Sequence, residues 1–294
     1  MGSLLGVPTQ ALFGQLVLGL INGAFYALLS LGLAIIFGLL NIINFAHGAQ
    51  YMLGAFAAWL LLQHVGVGYW GALLLAPLAV GLLGAGVEVT MLRRLAKLDP
   101  LYGLLLTFGL AMILQGLFAR EFGTSGNPYN VPEALQGSHD LGFMVLPKYR
   151  AWVIGCSLAV CVGAWYVTER TRIGSYLRAA TENPSLVQAF GVNVPRMITV
   201  TYGFSVALAA LAGVLAAPIY RVSPLMGADL IIVVFAVVVI GGMGSILGSI
   251  VTGFGLGVVE GLTKVFYPEA SNVVIFVVMA LVLLVKPAGL FGRT

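Results

Sequence analysis

Long apolar runs separated by short polar stretches dominate the hydrophobicity pattern of the chain. The runs are Leu12–Leu40, His47–Gln63, Tyr69–Leu92, Leu101–Phe118, Trp152–Val167, Ile198–Ile219, Leu230–Ile240, Ile246–Val259 and Val273–Val285. A helix of about 20 apolar residues crosses the hydrocarbon core of a bilayer, so the pattern predicts eight or nine transmembrane helices. The runs on either side of the sequence GGMGS are short, and we expect them to form a broken or re-entrant helix pair.

The composition is typical of an integral membrane protein. Of the 294 residues, 60% are hydrophobic and only 8% are charged, whereas a soluble domain contains about 25% charged residues. We therefore expect an all-α integral membrane protein with a single transmembrane domain over residues 1–294. The net charge of +4 is interpreted as cations in the loops, not as a nucleic-acid surface. Cys156 and Cys161 lack metal-ligand spacing and are predicted to be buried thiols.

The distribution of Lys and Arg predicts the orientation of the helices. One set of loops contains nine of the fourteen cations, namely Arg93, Arg94, Lys97, Arg170, Arg172, Arg178, Arg196, Lys286 and Arg293. Loops rich in Lys and Arg face the cytoplasm. The C-terminus is therefore predicted to be cytoplasmic, and an odd number of crossings would leave the N-terminus outside.

The loop of residues 120–150 lies on the predicted outer side. It is rich in Gly, Pro and Asn, a composition that favours an irregular cap over the extracytoplasmic mouth. His139 and Asp140 within it have side chains that bind metals, but a solvated turn is the favoured interpretation.

The loop of residues 168–196, on the predicted cytoplasmic side, contains the signals of a short helix. Asn183 can cap a helix that Pro184 begins, and Gly191 can end it. Its apolar residues need a cover, and they are Leu186, Val187, Ala189 and Phe190. An amphipathic helix at an interface rests on lipid headgroups or contacts another protein, and the residues alone leave both interpretations open.

A polar cluster interrupts a region that carries no formal charge before Glu88. In a helix from Asn41 onward, Asn44, His47 and Tyr51 would share one face. These side chains either tie a helix break to neighbouring backbone or line a substrate path; nearby glycines at 48 and 54 favour the tie, because they permit close backbone approach. The candidates for a helix break or a path are Asn22, Asn44, His47, Tyr51, Gly241, Gly242, Gly244 and Ser245.

Two carboxylates in apolar surroundings have a basic residue about one turn away. Glu88 precedes Arg93, and Glu260 precedes Lys264, so each is predicted to form an ion pair near a membrane interface.

Polar residues also flank the start of the run at Leu230. Asp229 is predicted to cap that helix rather than to contact a substrate. Tyr220, Arg221 and Ser223 flank the predicted outer mouth, where Arg221 is a candidate for contact with a passing carboxylate.

Four motifs together resemble those of inner-membrane permeases in the branched-chain amino acid family of ATP-binding-cassette (ABC) importers. They are INFAHG at 43–48, GSYLRAATENPSLVQAFGVNV at 174–194, GGMGSILGSIVTG at 241–253 and KPAGLFG at 286–292. They occur in the family's order and span nearly the whole chain. The resemblance implies a type II-like importer permease that forms half of a translocation path. Its substrate would be an amino acid of the branched-chain type, or a related small carboxylate or amide.

The resemblance also implies partners. The chain would lie in membrane lipid, in the bacterial inner membrane, beside a second paralogous permease or a second copy. Two cytoplasmic ABC ATPases and a periplasmic substrate-binding protein would complete the importer. The segment at 179–194 corresponds to the coupling helix of the family, which implies ATPase contact for Ala180, Glu182, Asn183, Pro184, Leu186, Val187, Ala189, Phe190 and Gly191.

The chain lacks a GxxxxGKS phosphate-binding loop, so we expect no ATP hydrolysis by this subunit. ATP and Mg²⁺ are expected in the ATPase subunits, and no catalytic residue, cofactor or metal is expected in this chain. One alternative is an autonomous channel or ion-coupled secondary transporter, which would normally carry charged residues deep in its helices. Another is an intramembrane enzyme built around His47, which has no acid-base partner nearby in the sequence.

Overall fold

The computed structural model describes residues 3–4, 7–40, 44–95 and 98–292, and most of these residues are helical. The predicted helix start at Asn41, Ile43 of the first motif, and the cations Lys97 and Arg293 lie outside the described residues. The helices are α1 Thr9–Leu40, α2 Ala46–Leu60, α3 Tyr69–Val87, α4 Arg93–Leu95, α5 Pro100–Phe122, α6 Lys148–Arg170, α7 Arg172–Glu182, α8 Pro184–Ala189, α9 Val194–Ala216, α10 Ala228–Gly241, α11 Ile246–Phe266 and α12 Val274–Val285. Short strands form two antiparallel hairpins, β1 Ser3–Leu4 with β2 Val7–Pro8, and β3 Ser138–Asp140 with β4 Val145–Pro147.

Six of the described helical segments are long and apolar enough to cross a membrane. They are α1, α3 with its continuation to Leu95, α5, α6, α9 and α11. Helix α2 continues through a π-helical turn, Leu61–Val65, and α10 and α12 are shorter apolar helices. The described part of the chain therefore agrees with the prediction of an all-α membrane protein with eight or nine helices.

Helix α1 lies at the centre of the bundle and packs closely along α11. A Cβ atom at Gly19 would lie 2.4 Å from the carbonyl oxygen of Gly257, and one at Gly253 would lie 2.5 Å from the backbone of Ala27. Small residues allow membrane helices to approach this closely. The Ser30 hydroxyl, which is fully buried, donates to the Ser249 carbonyl oxygen at 3.2 Å and joins the same two helices.

The pair of helices around GGMGS is only partly as predicted. Helix α10 has 14 residues and is about 21 Å long, which is shorter than the hydrocarbon core. Helix α11 has 21 residues and runs to Phe266, so it is a full-length helix and not half of a broken pair. The apolar pattern underestimated the length of α11, because the charged residues Glu260 and Lys264 lie within the helix and interrupt its apolar run.

The loop of residues 120–150 contains the β3–β4 hairpin and a 3₁₀ turn, Glu133–Leu135. Backbone hydrogen bonds between Asn127 and Val222 attach the loop to the segment after α9. His139 pairs with Leu146 in the hairpin, and Asp140 accepts a hydrogen bond from the Gly142 amide at 2.8 Å. These contacts agree with the turn interpretation. Within α6, Cys161 is a buried thiol as predicted, whereas Cys156 is only partly buried.

Candidate functional site

Asn44 organises the chain just before α2. Its Oδ1 accepts a hydrogen bond from the Ala46 amide at 3.1 Å, and its Nδ2 donates to the Tyr202 hydroxyl of α9 at 3.2 Å. The helix begins only at Ala46, so the prediction that Asn44 belongs to one helical stripe with His47 and Tyr51 is wrong. The side chain of Asn44 binds an amide at the helix start, and residues with this ability favour helix ends over helix interiors.

His47 joins the start of α2 to α1. Its ring is fully buried, and Nε2 lies 3.0 Å from the Leu29 carbonyl oxygen. Because a carbonyl oxygen only accepts, Nε2 carries the proton in this contact. A Cβ atom at Gly32 would lie 2.9 Å from the ring, so that glycine makes room for the imidazole. The geometry favours the helix-tie hypothesis for His47.

The backbone of α2 near its start lies very close to other segments, as its glycines indicated in the sequence. A Cβ atom at Gly48 would lie 2.5 Å from the Gly227 carbonyl oxygen, just before α10 begins, and one at Gly54 would lie 2.1 Å from the Ala210 carbonyl oxygen. The N-terminal ends of α2 and α10 therefore meet inside the bundle.

A cavity of about 440 Å³ opens between α1, α2, the segment after α9 and the start of α10. Its walls consist of Asn22, Phe25, Tyr26, Tyr51, Tyr220, Arg221, Ser223, Leu225, Met226, Asp229 and Leu230. Of the path candidates, only Asn22 and Tyr51 line it. Tyr51 is 1% exposed, and its hydroxyl has no hydrogen-bond partner among the described residues. We call this space the outer cavity.

A hydrogen-bond network centred on Glu260 of α11 supports one wall of the outer cavity. Glu260 accepts from the Tyr26 hydroxyl at 2.7 Å, from Asn22 Nδ2 at 3.3 Å and from Lys264 Nζ at 2.5 Å. The Tyr220 hydroxyl donates to Asn22 Oδ1 at 3.4 Å. The predicted pair of Glu260 and Lys264 is confirmed. The sequence did not indicate that Glu260 also accepts hydrogen bonds from Tyr26 and Asn22 of α1.

The second predicted ion pair is also present, at the opposite end of the bundle. Arg93 donates to both carboxylate oxygens of Glu88, at 3.1 and 2.8 Å. The Thr199 hydroxyl of α9 donates to the same carboxylate at 2.7 Å. This pair therefore links the end of α3 to α9.

Asp229 does not cap α10. Gly227 occupies the cap position without a side-chain hydrogen bond, and Asp229 lies in the first helical turn. Its side chain is exposed at the outer cavity, as is that of Arg221. Neither forms an ion pair with any residue in the described part of the chain. The cap prediction failed because the chain places a glycine, not the aspartate, at the helix boundary.

Gly241 ends α10, and the other residues of GGMGS, 242–245, form the turn to α11. Gly242 and Gly244 have φ angles of 98° and 84°, which favour glycine, and Ser245 Oγ accepts from the Gly248 amide at 3.1 Å. The C-terminal segment binds this turn, because the amides of Leu290 and Phe291 donate to the carbonyl oxygens of residues 240 and 241 at 2.8 and 3.1 Å. The turn lies at the opposite end of α10 from the outer cavity, and it borders a second cavity together with α7.

Helix α8 has the predicted boundaries. Asn183 Oδ1 accepts from the Leu186 amide at 3.0 Å, Pro184 is the first helical residue, and Gly191 follows with φ of 84°. Leu186 is 54% exposed and Phe190 is 80% exposed.

Two parts of the prediction for this loop are wrong. The sequence analysis predicted one short helix in this loop, but a second helix, α7, with 11 residues, precedes α8. Ala180 and Val187 are buried with Val194 in a small core of the loop itself, so neither side chain is available to a partner. The remaining coupling candidates are exposed, namely Glu182, Asn183, Pro184, Leu186, Ala189, Phe190 and Gly191.

Helix α7 is fixed to the end of α6. Arg178 Nη1 donates to the Thr168 carbonyl oxygen at 2.6 Å. A Cβ atom at Gly174 would lie 1.7 Å from the same oxygen, so only glycine fits this contact. Beside it, a cavity of about 880 Å³ separates α7 from the GGMGS turn and the end of α1.

Comparison with known proteins identifies the family. Residues 15–283 match the model described as "Branched-chain amino acid transport system / permease component". The chain belongs to this permease family. It is 31% identical over 292 residues to the high-affinity branched-chain amino acid transport system permease protein BraD of Pseudomonas aeruginosa, covering 95% of each chain. It is 29% identical over 311 residues to the corresponding permease protein LivH of Escherichia coli K12, again over 95% of each chain. The ribose import permease protein RbsC of the same organism is 28% identical over 197 residues, 61% of this chain and 58% of that one.

The four motifs of this branched-chain permease family now have positions in the fold. The described residues of the first motif, 44–48, lead into α2 and form its first turn, and the long motif from Gly174 forms most of α7 and all of α8. The remaining two, GGMGSILGSIVTG and KPAGLFG, lie far apart in the sequence, and the Phe291 amide of the second donates to the Gly241 carbonyl oxygen of the first at 3.1 Å. The last two motifs therefore mark a contact between segments that are distant in the sequence.

Proposed function

We propose that this permease is the membrane subunit of an ATP-driven importer for branched-chain amino acids. The names of its full-length relatives support the substrate. A second paralogous permease or a second copy would form the other half of the path, with two cytoplasmic ABC ATPases and a periplasmic binding protein. The importer would lie in the bacterial inner membrane with the C-terminus in the cytoplasm, as the Lys and Arg distribution indicates.

The structural observation that supports this function is the α7–α8 unit. It is an ordered body, because Asn183 caps α8 and the Arg178 contact holds α7 on α6. It carries Leu186 and Phe190 outward, and exposed apolar side chains beyond the membrane helices indicate a protein partner. A rigid element with an apolar tip is what a moving ATPase requires in order to transmit force to the helices. ATP and Mg²⁺ would bind only to that partner.

The test is uptake of radiolabelled leucine, isoleucine and valine by cells that express the permease together with its partner subunits. We expect uptake of at least one of them, and its loss when the phosphate-binding lysine of the ATPase is replaced. Uptake that persists without ATPase activity would instead support an autonomous channel or an ion-coupled transporter. Uptake of ribose in place of the amino acids would contradict the proposed substrate and favour that of the ribose import permease RbsC.

A further inference from the structure

The outer cavity has two chemically different walls. Its apolar wall consists of the side chains of Phe25, Leu225, Met226 and Leu230. Its charged side chains are Arg221 and Asp229, which are the only charged residues that line it in the described part of the chain. Its volume of about 440 Å³ is within the range of small-molecule sites, about 300 to 1,000 Å³.

Among the described residues, the two charged side chains form no ion pair. Arg221 and Asp229 are absent from the ion pairs of the described residues, although they line the same space. The nearby carboxylate of Glu260 differs, because Lys264, Tyr26 and Asn22 already contact it. Within the described part of the chain, the cavity therefore presents one unpaired cation and one unpaired anion to a ligand.

The Tyr51 hydroxyl adds a polar group to the wall of the same cavity. Tyr51 is 1% exposed and lines the cavity, yet no described residue accepts or donates a hydrogen bond at its hydroxyl. A polar ligand group in the cavity would provide one. The N-terminal end of α10 at the cavity adds a favourable field for a negative group.

We propose that the outer cavity is a transit site for a zwitterionic α-amino acid with an apolar side chain. Arg221 binds the carboxylate, Asp229 binds the ammonium group, and the Tyr51 hydroxyl completes the polar contacts. The apolar wall covers the side chain of the amino acid. This assignment rests on the proposed function and adds the site within this chain and the group that each residue recognises.

The experiment uses photo-leucine, a diazirine analogue of leucine, with the complete importer in proteoliposomes together with its binding protein. We expect light-dependent labelling of peptides that contain residues 22–26, 51 or 220–230. Excess leucine should abolish this labelling. Isovalerate and isoamylamine, which each lack one of the two charged groups, should compete at least about tenfold less well, since each loses a hydrogen bond between charged groups.

The variants Arg221→Gln and Asp229→Asn should each reduce labelling of the cavity peptides about tenfold. Tyr51→Phe should reduce it several-fold, and this small change keeps the test valid if a charge variant does not assemble. Arg120→Gln and Glu133→Gln remove exposed charges elsewhere near the outer loop and should leave labelling unchanged.

Two negative outcomes have different meanings. Normal leucine uptake with labelling outside the cavity, or with labelling that none of the three variants changes, would overturn the transit site and leave the proposed function intact. Absence of ATP-dependent uptake of any branched-chain amino acid by the unmodified importer would overturn the proposed function, and the transit site with it.

Discussion

The Nε2 atom of His47 lies 3.0 Å from the carbonyl oxygen of Leu29, and this contact joins the first turn of α2 to the interior of α1. The ring fills the space that Gly32 leaves on α1. Its position is separate from the outer cavity, whose lining does not include it. His47 thus contributes to the way the helices assemble, and its role differs from that of Tyr51 on the same helix.

We predict that His47→Ala destabilises the permease. The substitution removes a buried hydrogen bond and leaves a void, a combination that costs about 2 to 4 kcal/mol. The melting temperature of the purified protein in detergent should fall by about 5 °C or more, and the yield of assembled importer should fall with it. His139→Ala, on the exposed β3 strand, is the control and should change neither. Normal stability together with lost uptake would instead place His47 in the substrate path.

We predict that Gly213→Ala disrupts the contact of α9 with α2. A Cβ atom there would lie 2.0 Å from the Tyr51 carbonyl oxygen, so the two helices must separate. Gly155→Ala is the matched control on α6, because no atom lies within 4 Å of its added Cβ and alanine favours helix. Expression and melting temperature should fall only for Gly213→Ala. Equal behaviour of the two variants would contradict the packing of α2 on α9.

We predict opposite labelling of two single-cysteine variants. With Cys156 and Cys161 replaced by Ala, Ser138→Cys should react with an impermeant maleimide from the periplasmic side, and Ser185→Cys from the cytoplasmic side. Both positions are exposed, so access depends only on the side of the membrane. Right-side-out and inside-out vesicles distinguish the two sides. The reverse pattern would overturn the orientation inferred from the Lys and Arg distribution.

Local signals in the sequence predicted local structure well. Asn183, Pro184 and Gly191 set the boundaries of α8 because each acts on backbone within a few residues of itself. Glu88 with Arg93 and Glu260 with Lys264 were predictable for the same reason. The resemblance of the four motifs also gave the family, which the comparisons support over nearly the whole chain.

Contacts between distant residues were not predictable from one sequence. Tyr26 binds Glu260 across 234 positions, and the tail at Leu290 binds the end of α10, with no signal in either segment. The predicted stripe through Asn44 is wrong because the Asn44 side chain accepts a hydrogen bond from the Ala46 amide at the start of the helix. Helical periodicity alone does not reveal this contact. Val187 was assigned to a partner surface because the signals of α8 alone do not show what covers it. In the fold, Ala180 of α7 and Val194 bury its side chain.

The central claim is that α8 is the contact through which the ATPase moves this permease. Two substitutions test it together, Leu186→Asp and Phe190→Asp, which place charges on the exposed apolar tip while Val187 and the loop core remain intact. Leu141→Asp with Val145→Asp is the matched control, because these exposed apolar residues belong to the outer loop, and both are 43% exposed or more.

The most direct measurement is co-purification of the ATPase with the permease, followed by ATP hydrolysis stimulated by the loaded binding protein in proteoliposomes. For the double variant in α8 we predict loss of the bound ATPase, or at least a tenfold loss of stimulated hydrolysis, with normal membrane insertion and melting temperature. The outer-loop control should keep its bound ATPase. If the α8 variant retains both the ATPase and its stimulated hydrolysis at the level of the unmodified importer, α8 is not the coupling element.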